Sequence, residues 1–151
     1  MNITEDTDDC IFCKILKGEL PVSIIYEDER IIVIVDLYPV NKGHLLVIPK
    51  SHAAYISDVA DDTLSHMMVF AKRMNESLRA FYECDGVNFF LADGAAAGQE
   101  IFHCHLHVYP RFNNDGFGFS YDTRHFQQLT RKEMDEIAEA LKRSISSGTD
   151  S

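Results

Sequence analysis

The sequence predicts a single α+β domain in which helices pack on a five-stranded antiparallel sheet. Three observations lead to this fold class. Short β-rich runs adjoin through tight turns, which favours antiparallel pairing. One long segment has the periodicity of an amphipathic helix. The predicted elements follow the order α-β-β-β-α-β-β-α, which is typical of helices packed on a sheet of sequentially adjoining strands.

The first elements are a short helix and three strands. The helix is expected over residues 10–17, with Asp9 as its cap and Gly18 at its end. Each strand is a run rich in β-branched residues, and turn residues such as Asp28-Glu29-Arg30 separate the runs. The predicted strands cover residues 23–27, 31–36 and 44–48.

A long amphipathic helix is predicted over residues 61–82. Its apolar side chains recur at alternating spacings of three and four, which is the pattern of one buried stripe. The predicted stripe consists of Leu64, Met67, Ala71, Met74, Leu78 and Phe81.

Two more strands and a last helix follow. Asp85-Gly86 turns the chain into the fourth strand, and Pro110 is expected to stop the fifth. Thr130 and Glu133 form a capping box for the last helix. Its apolar stripe is Met134, Ile137, Ala138 and Leu141. The predicted ranges are 87–91 and 102–109 for the strands, and 92–98 and 112–128 for the loops.

The chain has 151 residues, which suits one domain with a real core. We expect a flexible acidic leader over residues 1–9, the domain over 10–143 and a flexible tail over 144–151. The 14 basic and 24 acidic residues give a net charge of −10. This charge argues against nucleic-acid polymers and anionic membranes as partners, because both attract basic surfaces. One phosphate in one pocket stays compatible with it.

Cysteine use and the absence of targeting signals point to a cytoplasmic protein. The first nine residues contain no basic residue, and the apolar runs are too short to span a bilayer. Cys84 and Cys104 are expected to be ordinary buried thiols. The close pair Cys10 and Cys13 is more typical of a metal or redox pair in a reducing compartment than of a disulfide framework.

The chemistry is concentrated in the segment His103-Cys104-His105-Leu106-His107. Alternate side chains of a strand share one face, so the three imidazoles are expected on one face. A simple metal site is one interpretation, because histidines two positions apart can share an ion. The residues that flank this segment favour a phosphate-binding site instead. Gly98-Gln99 ends a loop of small residues whose backbone N–H groups could hold a phosphate. An adjoining strand adds His44 and His52.

With these flanks, the motif strongly resembles the histidine triad (HIT) family of nucleotide hydrolases and transferases. The N-terminal Cys-x-x-Cys is similar to that of a bacterial-type branch. The resemblance implies a homodimer that joins two sheets edge to edge, with the 61–82 helix at the interface. It covers residues 10–111, and the matching stretches are Cys10 to Ile15, Asp36-Leu37, Gly43 to His52, Gly98-Gln99 and His103 to Arg111.

The resemblance implies a reaction at the α-phosphate of a nucleotide. His105 would attack phosphorus and form a covalent nucleotidyl-imidazole that water then cleaves, for which a neutral imidazole is well suited. His107 would contact the phosphate or leaving group, Gln99 the bridging or leaving oxygen, and His44 would support the triad. The histidines assigned to the catalytic group are therefore His44, His103, His105 and His107. The substrates would be nucleoside phosphoramidates, nucleotidyl-acyl compounds or dinucleoside polyphosphates.

The resemblance also implies a nucleotide site. Asp36 would hold the ribose hydroxyls, since two vicinal hydroxyls are natural donors to one carboxylate. The base would lie in an apolar slot lined by Phe12, Ile15, Leu20 and Leu37. Without the resemblance, Asp36 is interpreted as a turn residue at the end of a strand. Phe12, Ile15 and Leu37 could then equally be residues of the hydrophobic core.

Two departures from the family pattern bear on substrate preference. Glu100 stands where family members often carry Ser or Thr. A carboxylate at this position would repel phosphate, unless the side chain points away and only its backbone N–H serves. Ala92 stands where many relatives have Asn, and that contact is expected to be lost or to move to Asp93. The nucleotide site is therefore assigned Gln99, Glu100 and Asp93 as well.

Cys10 and Cys13, at i and i+3, lie on one face of the first helix. Two more ligands would complete a tetrahedral metal site. In the branch that the chain resembles, those positions are His52 and His103, which implies a structural Cys2His2 zinc. Such a closed site keeps no position open for water, so the zinc is not expected to take part in the chemistry. Two buried free thiols are the alternative.

Three further functions compete with the hydrolase. A nucleotide-binding or scaffold protein with weak or incidental activity is favoured by Glu100 and Ala92. Uridylyl transfer, in which Gln replaces the last histidine, is disfavoured by His107. A zinc-only structural module leaves His105 unexplained. Phosphoramidase and dinucleoside polyphosphate hydrolase activities are not separated by the sequence, and His66 and His125 are expected on the surface without partners.

Overall fold

We describe residues 7–120 and 128–148 of a computed structural model. The element order confirms the predicted succession of helices and strands, with two short 3-10 helices added. The helices are α1 (Ile11–Leu16), α2 (Asp61–Tyr82) and α3 (Arg131–Gly148); the strands are β1 (Ile24–Glu27), β2 (Ile31–Val35), β3 (Leu45–Pro49), β4 (Gly86–Phe90) and β5 (Leu106–Arg111); the 3-10 helices are Ile56–Asp58 and Ala95–Ala97.

The five strands form one antiparallel sheet in the order β1-β2-β3-β5-β4, which confirms the predicted fold class. β5 lies between β3 and β4, so the end of the histidine triad sits inside the sheet. In the register of β3 with β5, Leu46 pairs with His107. Paired residues point to the same face, so His107 shares a face with Leu46.

Both faces of the sheet are covered. On one face, α2 packs on alternate residues of β2, β3 and β5, including Val33, Val47 and Val108. On the other face, α1 packs on the intervening residues of β2 and β3, including Ile34 and Ile48. β2 and β3 are therefore buried on both sides, which explains their nearly continuous apolar sequence. The histidines face the α1 side.

α2 occupies the predicted range, but its buried stripe differs from the expectation at two positions. Phe70 is buried beside Ala71, because the apolar face of a helix is wide enough to include neighbouring positions. Phe81 is 80% exposed. In the last turn, Tyr82 packs against the core instead.

The first helix begins differently from the expectation. Cys10, not Asp9, is the N-cap of α1, and its Sγ accepts a hydrogen bond from the backbone N–H of Cys13 at 3.5 Å. The predicted cap is wrong because the Sγ of Cys10, and not the carboxylate of Asp9, accepts the free N–H at the helix start. The cap therefore couples the start of α1 to the two cysteines.

The start of the fifth strand was predicted four residues too early. β5 begins at Leu106 and continues through Pro110, which therefore does not stop it. The preceding segment leaves the ladder because Cys104 donates its N–H to the oxygen of Ala53 at 2.6 Å. The expected alternation nevertheless holds for the side chains, since Cys104, Leu106 and Val108 all pack in the α2-side core. Cys84 and Cys104 are buried free thiols, as expected.

Among the described residues, those up to Phe117 form one compact unit and those from Gly118 form a second. In the second unit, Thr130 and Glu133 form the predicted capping box. α3 continues to Gly148, into the segment for which a flexible tail is expected, and that expectation stays a prediction. Most of its apolar stripe is exposed, including Met134, Ile137 and Leu141.

Some expectations lie outside the described residues: most of the leader, the part of the 112–128 loop that contains His125, and the last three residues. Within the described ranges, no helix is both long enough and apolar enough to cross a membrane. The assignment of residues 10–143 to one domain stays a prediction.

Candidate active site and metal centre

The middle histidine, His105, lies just before β5. Its Nδ1 lies 2.7 Å from the backbone oxygen of His103. Because a carbonyl oxygen only accepts hydrogen bonds, Nδ1 carries the proton of the neutral ring and Nε2 keeps a free electron pair. The ring of Phe12 packs edge-on against His105, with centroids 5.0 Å apart. Tautomer and orientation of this imidazole are thus both fixed.

The last histidine of the triad is paired with His44. The backbone N–H of Val40 donates to Nδ1 of His44 at 3.1 Å, so the proton of the neutral His44 ring is on Nε2. That Nε2 lies 2.9 Å from Nδ1 of His107 and donates to it. The proton of neutral His107 is therefore on Nε2, where the ring offers an N–H donor. The tautomer of His107 is thus fixed by two successive hydrogen bonds, one from the Val40 N–H to His44 and one from His44 to His107.

Asp36 follows β2 and lies beside this histidine pair. Its Oδ1 accepts the backbone N–H of Tyr38 at 2.9 Å. Its Oδ2 lies 3.5 Å from Nε2 of His44 and 3.9 Å from Nδ1 of His107. The carboxylate is only 16% exposed. It therefore places one negative charge beside two imidazoles.

Burial dominates the protonation of the site. It lowers the pKa of His44 and of His105, and it lowers the pKa of His107 to about 4, with the neighbouring His105 and His44 adding to the effect. Asp36 opposes the shift at all three rings. The free site consequently holds neutral imidazoles near pH 7, as a nucleophilic imidazole requires.

Gln99 is buried and its amide closes the small-residue loop. Oε1 accepts the N–H of Gly94 at 2.7 Å, and Nε2 donates to the oxygens of Ala54 and Ile101 at 2.8 and 3.1 Å. The side chain is thereby engaged within the protein, whereas the resemblance gives it a substrate oxygen. Gly98 has φ +89°, a conformation that favours glycine.

Glu100 and Asp93, the residues that the two departures from the family pattern bring into question, lie in different surroundings. The Glu100 side chain is exposed. The Oδ1 of Asp93 accepts the N–H of Ile56 at 2.9 Å and so caps the first 3-10 helix. Asp93 therefore already has a structural partner at the edge of the proposed nucleotide site.

The residues assigned to the base slot differ strongly in exposure. Phe12 is 3% exposed and packs against both His103 and His105. Ile15 is half-buried against the apolar core on the α1 side of the sheet, which includes Phe12. Leu20 and Leu37 are 36% and 81% exposed. Among the residues assigned to the slot, Phe12 and Ile15 are thus buried or half-buried, whereas Leu37 projects into solvent.

The four predicted metal ligands converge. Sγ of Cys10 lies 3.4 Å from Nδ1 of His103, and Sγ of Cys13 lies 3.4 Å from Nδ1 of His52 and 3.7 Å from that of His103. The two imidazole nitrogens are 3.3 Å apart. A tetrahedral zinc with its usual bond lengths requires about 3.6 Å between S and N and about 3.3 Å between N and N. The donor set therefore fits such an ion.

The protonation of these ligands supports the same fit. Nε2 of His103 donates to the oxygen of Pro49 at 2.8 Å, so Nδ1 presents its electron pair to the cysteines. In the absence of a cation, burial and then the neighbouring Cys10 raise the pKa of Cys13 to about 11. A bound cation would favour the thiolate, since only the thiolate is a metal ligand.

One expectation about a histidine is wrong. His66 was expected on the surface without a partner, yet its Nε2 lies 2.6 Å from Oδ2 of Asp28 and its side chain is 20% exposed. Asp28 also accepts bonds from the N–H groups of Arg30 and Ile31 and from the hydroxyl of Tyr26. Burial raises the pKa of Asp28, but these hydrogen bonds outweigh it and hold the pKa well below its usual range. The sequence pattern identified Asp28 only as a turn residue, and it did not indicate the contact with His66.

Comparisons with known proteins agree with this geometry. The family model described as HIT domain matches residues 17–114. The chain is 43% identical over 113 residues to a HIT-like protein of Borreliella burgdorferi, covering 74% of this chain and 81% of that protein. It is 32% identical over 140 residues to adenylylsulfatase HINT3 of Arabidopsis thaliana, covering 93% and 71%.

Solved structures are similar along nearly the whole chain. A HIT family protein from Bacillus anthracis superposes with a TM-score of 0.83 at 36% identity, covering 91% of this chain and 97% of that one. A zinc-bound histidine triad protein from Mycobacterium smegmatis gives 0.70 at 35% identity, covering 95% and 99%. A histidine triad nucleotide-binding protein from Candida albicans gives 0.81 at 28% identity, covering 91% and 98%.

Proposed function

The chain belongs to the histidine triad (HIT) family, and from this premise we propose that it cleaves nucleotides at the α-phosphate through a covalent nucleotidyl-histidine. The leaving group is the amine of a phosphoramidate, an acyl group or a second nucleotide. The observation that carries the proposal is the His105 hydrogen bond to the His103 oxygen, because it leaves Nε2 free to attack. The name of the Arabidopsis relative supports hydrolysis at such a phosphate.

The other histidines supply donors around the phosphate. The Nε2–H of His107, set by His44, is proposed to contact a phosphate oxygen or the leaving group. Gln99 is proposed to position the loop that ends at Gly98, and it would reach substrate only by releasing one of its present partners. In this proposal, backbone N–H groups of that loop and of Glu100 complete the cradle.

The rest of the nucleotide lies along α1 and the end of β2 in this proposal. The base packs on the floor of Phe12 and Ile15, with Leu20 and Leu37 closing over it. Asp36 accepts the ribose hydroxyls, for which a carboxylate has enough electron pairs beyond those facing the histidines. Asp93 lies at the edge of this site and keeps its cap on Ile56.

The test of the enzyme is turnover of an adenosine phosphoramidate by wild type and His105→Ala. We expect AMP release by the wild type alone, with nucleotide binding retained in the variant. Wild-type protein stopped during turnover should gain the mass of one nucleotide on the peptide that contains His105. Equal residual rates in both proteins would contradict the proposal.

A second candidate is a nucleotide-binding or scaffold protein with incidental activity. The observations that favour it are the engaged amide of Gln99 and the exposed carboxylate of Glu100 at the phosphate side. The Candida relative is named a nucleotide-binding protein. Tight nucleotide binding with equal, low rates in wild type and His105→Ala would support this candidate over the enzyme.

We also propose that Cys10, Cys13, His52 and His103 hold a structural zinc. All four protein ligands are supplied from buried or half-buried positions, so the ion would hold α1 to the sheet and leave no place for substrate. Metal analysis of protein purified without added zinc should find one equivalent. A zinc content near zero, with an unchanged fold in chelator, would contradict it.

A further inference from the structure

Asp36 is the one acidic side chain among the described residues that lies against the His44–His107 pair. The ionisable groups of the described residues that face the pair are His105, which precedes β5, Tyr109 on β5 and Asp36, which follows β2. Tyr109 contributes a ring 4.8 Å from that of His44. Asp36 therefore supplies the negative charge at this position.

The hydrogen bonds of the pair admit only the neutral state. Nδ1 of His44 is blocked by the N–H of Val40, and one proton lies between Nε2 of His44 and Nδ1 of His107, 2.9 Å apart. A further proton would put two N–H groups face to face at that distance, where neither finds an acceptor. Protonation of the pair consequently requires an acceptor beside both nitrogens.

Oδ2 of Asp36 occupies that position. It lies 3.5 Å from Nε2 of His44 and 3.9 Å from Nδ1 of His107, so a small turn of either ring directs its N–H to the carboxylate. Oδ1 is held by the N–H of Tyr38, which fixes the carboxylate in place. The pKa directions agree, because Asp36 raises the pKa of both histidines against the effect of burial.

We propose that Asp36 is a positioning residue of the reaction: it lets the His44–His107 pair take up a proton, which His107 then gives to the leaving group. The inference rests on the proposed nucleotidyl transfer. It assigns to Asp36 a role that is separate from holding the ribose.

The steps balance as follows. The Nε2 electron pair of His105 forms the N–P bond, the bond from phosphorus to the leaving nitrogen breaks, and its electrons stay on that nitrogen. The Nε2 proton of the His107 imidazolium goes to the same nitrogen, so the amine leaves neutral and His107 becomes neutral. Water then gives a proton back to Nε2 of His107 while its oxygen attacks phosphorus. The N–P bond breaks with its electrons returning to His105, and the nucleoside monophosphate leaves.

The test compares leaving groups in wild type and Asp36→Asn, which keeps the acceptor for the Tyr38 N–H. An alkylamine must be protonated to leave, whereas p-nitrophenolate leaves as an anion. We expect kcat for the adenosine alkylphosphoramidate to fall about 100-fold, as for loss of a general acid, while kcat for the p-nitrophenyl ester changes much less. An equal loss for both leaving groups would overturn the inference.

A 2′,3′-dideoxyadenosine phosphoramidate separates this role from the ribose contact. If Asp36 acts only through the hydroxyls, the loss in Asp36→Asn disappears with this substrate, and the inference is overturned. If it acts through the histidines, the loss persists in kcat. Asp85→Asn is the matched control, since the Asp85 carboxylate accepts the backbone N–H of Asn113 at 2.7 Å, and this change should leave the rates unchanged.

The same assays distinguish failure of the inference from failure of the proposed function. Wild-type turnover that is lost in His105→Ala, combined with a uniform effect of Asp36→Asn, overturns the role of Asp36 alone. No difference between wild type and His105→Ala overturns both. Circular dichroism and the unfolding midpoint of Asp36→Asn should match the wild type, which excludes a folding defect as the cause of lost activity.

Discussion

Nδ1 of His105 donates to the backbone oxygen of His103 at 2.7 Å, while the side chain of His103 presents its own Nδ1 to Cys10 and Cys13. His103 is thus both one of the four proposed metal ligands and the residue whose backbone oxygen orients the proposed nucleophile. Phe12 reinforces the link, because its ring contacts both imidazoles. Changes at the proposed metal ligands are therefore expected to alter the position and the Nδ1 hydrogen bond of His105.

Removal of the proposed zinc should loosen His105. In chelator-treated protein or in Cys13→Ser, we expect the Nδ1–H signal of His105 in nitrogen-resolved NMR to broaden or shift, because the His103 oxygen is no longer held. Cys84→Ser is the control, since Cys84 is a buried thiol outside the set. Unchanged His105 signals in metal-free protein would contradict the coupling.

Loss of His44 should reduce catalysis more than binding. His44→Ala removes the donor to Nδ1 of His107, so the ring can place its proton on either nitrogen. We expect kcat to fall about 100-fold, within the range of general acid–base effects, with a small change in KM. Steady-state kinetics on a phosphoramidate measures this. His66→Asn, a histidine change on α2, should keep kcat near the wild-type value; a similar fall there would argue for a general effect of lost stability.

Stability should fall as the medium becomes acidic, in part through His107. Its pKa is 6.5 in the unfolded chain and about 4 when folded, so between these values the unfolded state binds the extra proton more readily. The free energy of unfolding is therefore expected to decrease as pH falls from 6.5 towards 4. Urea unfolding at several pH values should show a shallower decrease for His107→Asn. Parallel curves would contradict this assignment.

The Asp28–His66 contact should stabilise the fold. Asp28→Asn weakens hydrogen bonds to a charged acceptor, and we expect a loss of about 2 kcal/mol in the free energy of unfolding near neutral pH. The lowered pKa means that this contribution is present above 3.8 and is lost as pH falls further. Urea unfolding tests both points. Asp58→Asn, at an exposed cap, should cost less; equal losses would contradict the special role of Asp28.

The chain is expected to form a homodimer through α2 and the β4 edge. Met68 and Val69 on α2 and Phe89 on the edge strand are 55%, 52% and 43% exposed. Light scattering should give twice the chain mass of 17.2 kDa, and Phe89→Glu should shift it towards the monomer. Ile24→Glu, on the opposite edge strand, is the matched control and should remain dimeric. A wild-type monomer would contradict the prediction.

The sequence predicted the elements well because their signals are local. The stripe of α2 and the capping box of α3 depend on neighbours within one or two turns. The start of β5 depends on a distant contact, since Cys104 pairs its N–H with Ala53. No local pattern in the triad indicates that partner.

For the candidate site too, some features were predictable from local sequence and others depend on distant contacts. The residue types of the triad and the cysteine pair identified the candidate ligands and nucleophile. The tautomers depend on backbone groups far along the chain, such as the oxygen of Pro49 and the N–H of Val40. The proximity of Asp36 to the histidine pair arises from the sheet register, which residue types alone do not specify.

The covering of both sheet faces has a consequence for how such a chain tolerates change. In β3 and β5, alternate residues face α2, and the residues between them face the side of the sheet that holds α1 and the histidines. Inserting or deleting one residue within either strand would exchange these two sets, exposing valines to the site and burying imidazoles in the core. Changes in length are therefore expected to be tolerated only in the turns and loops between these strands.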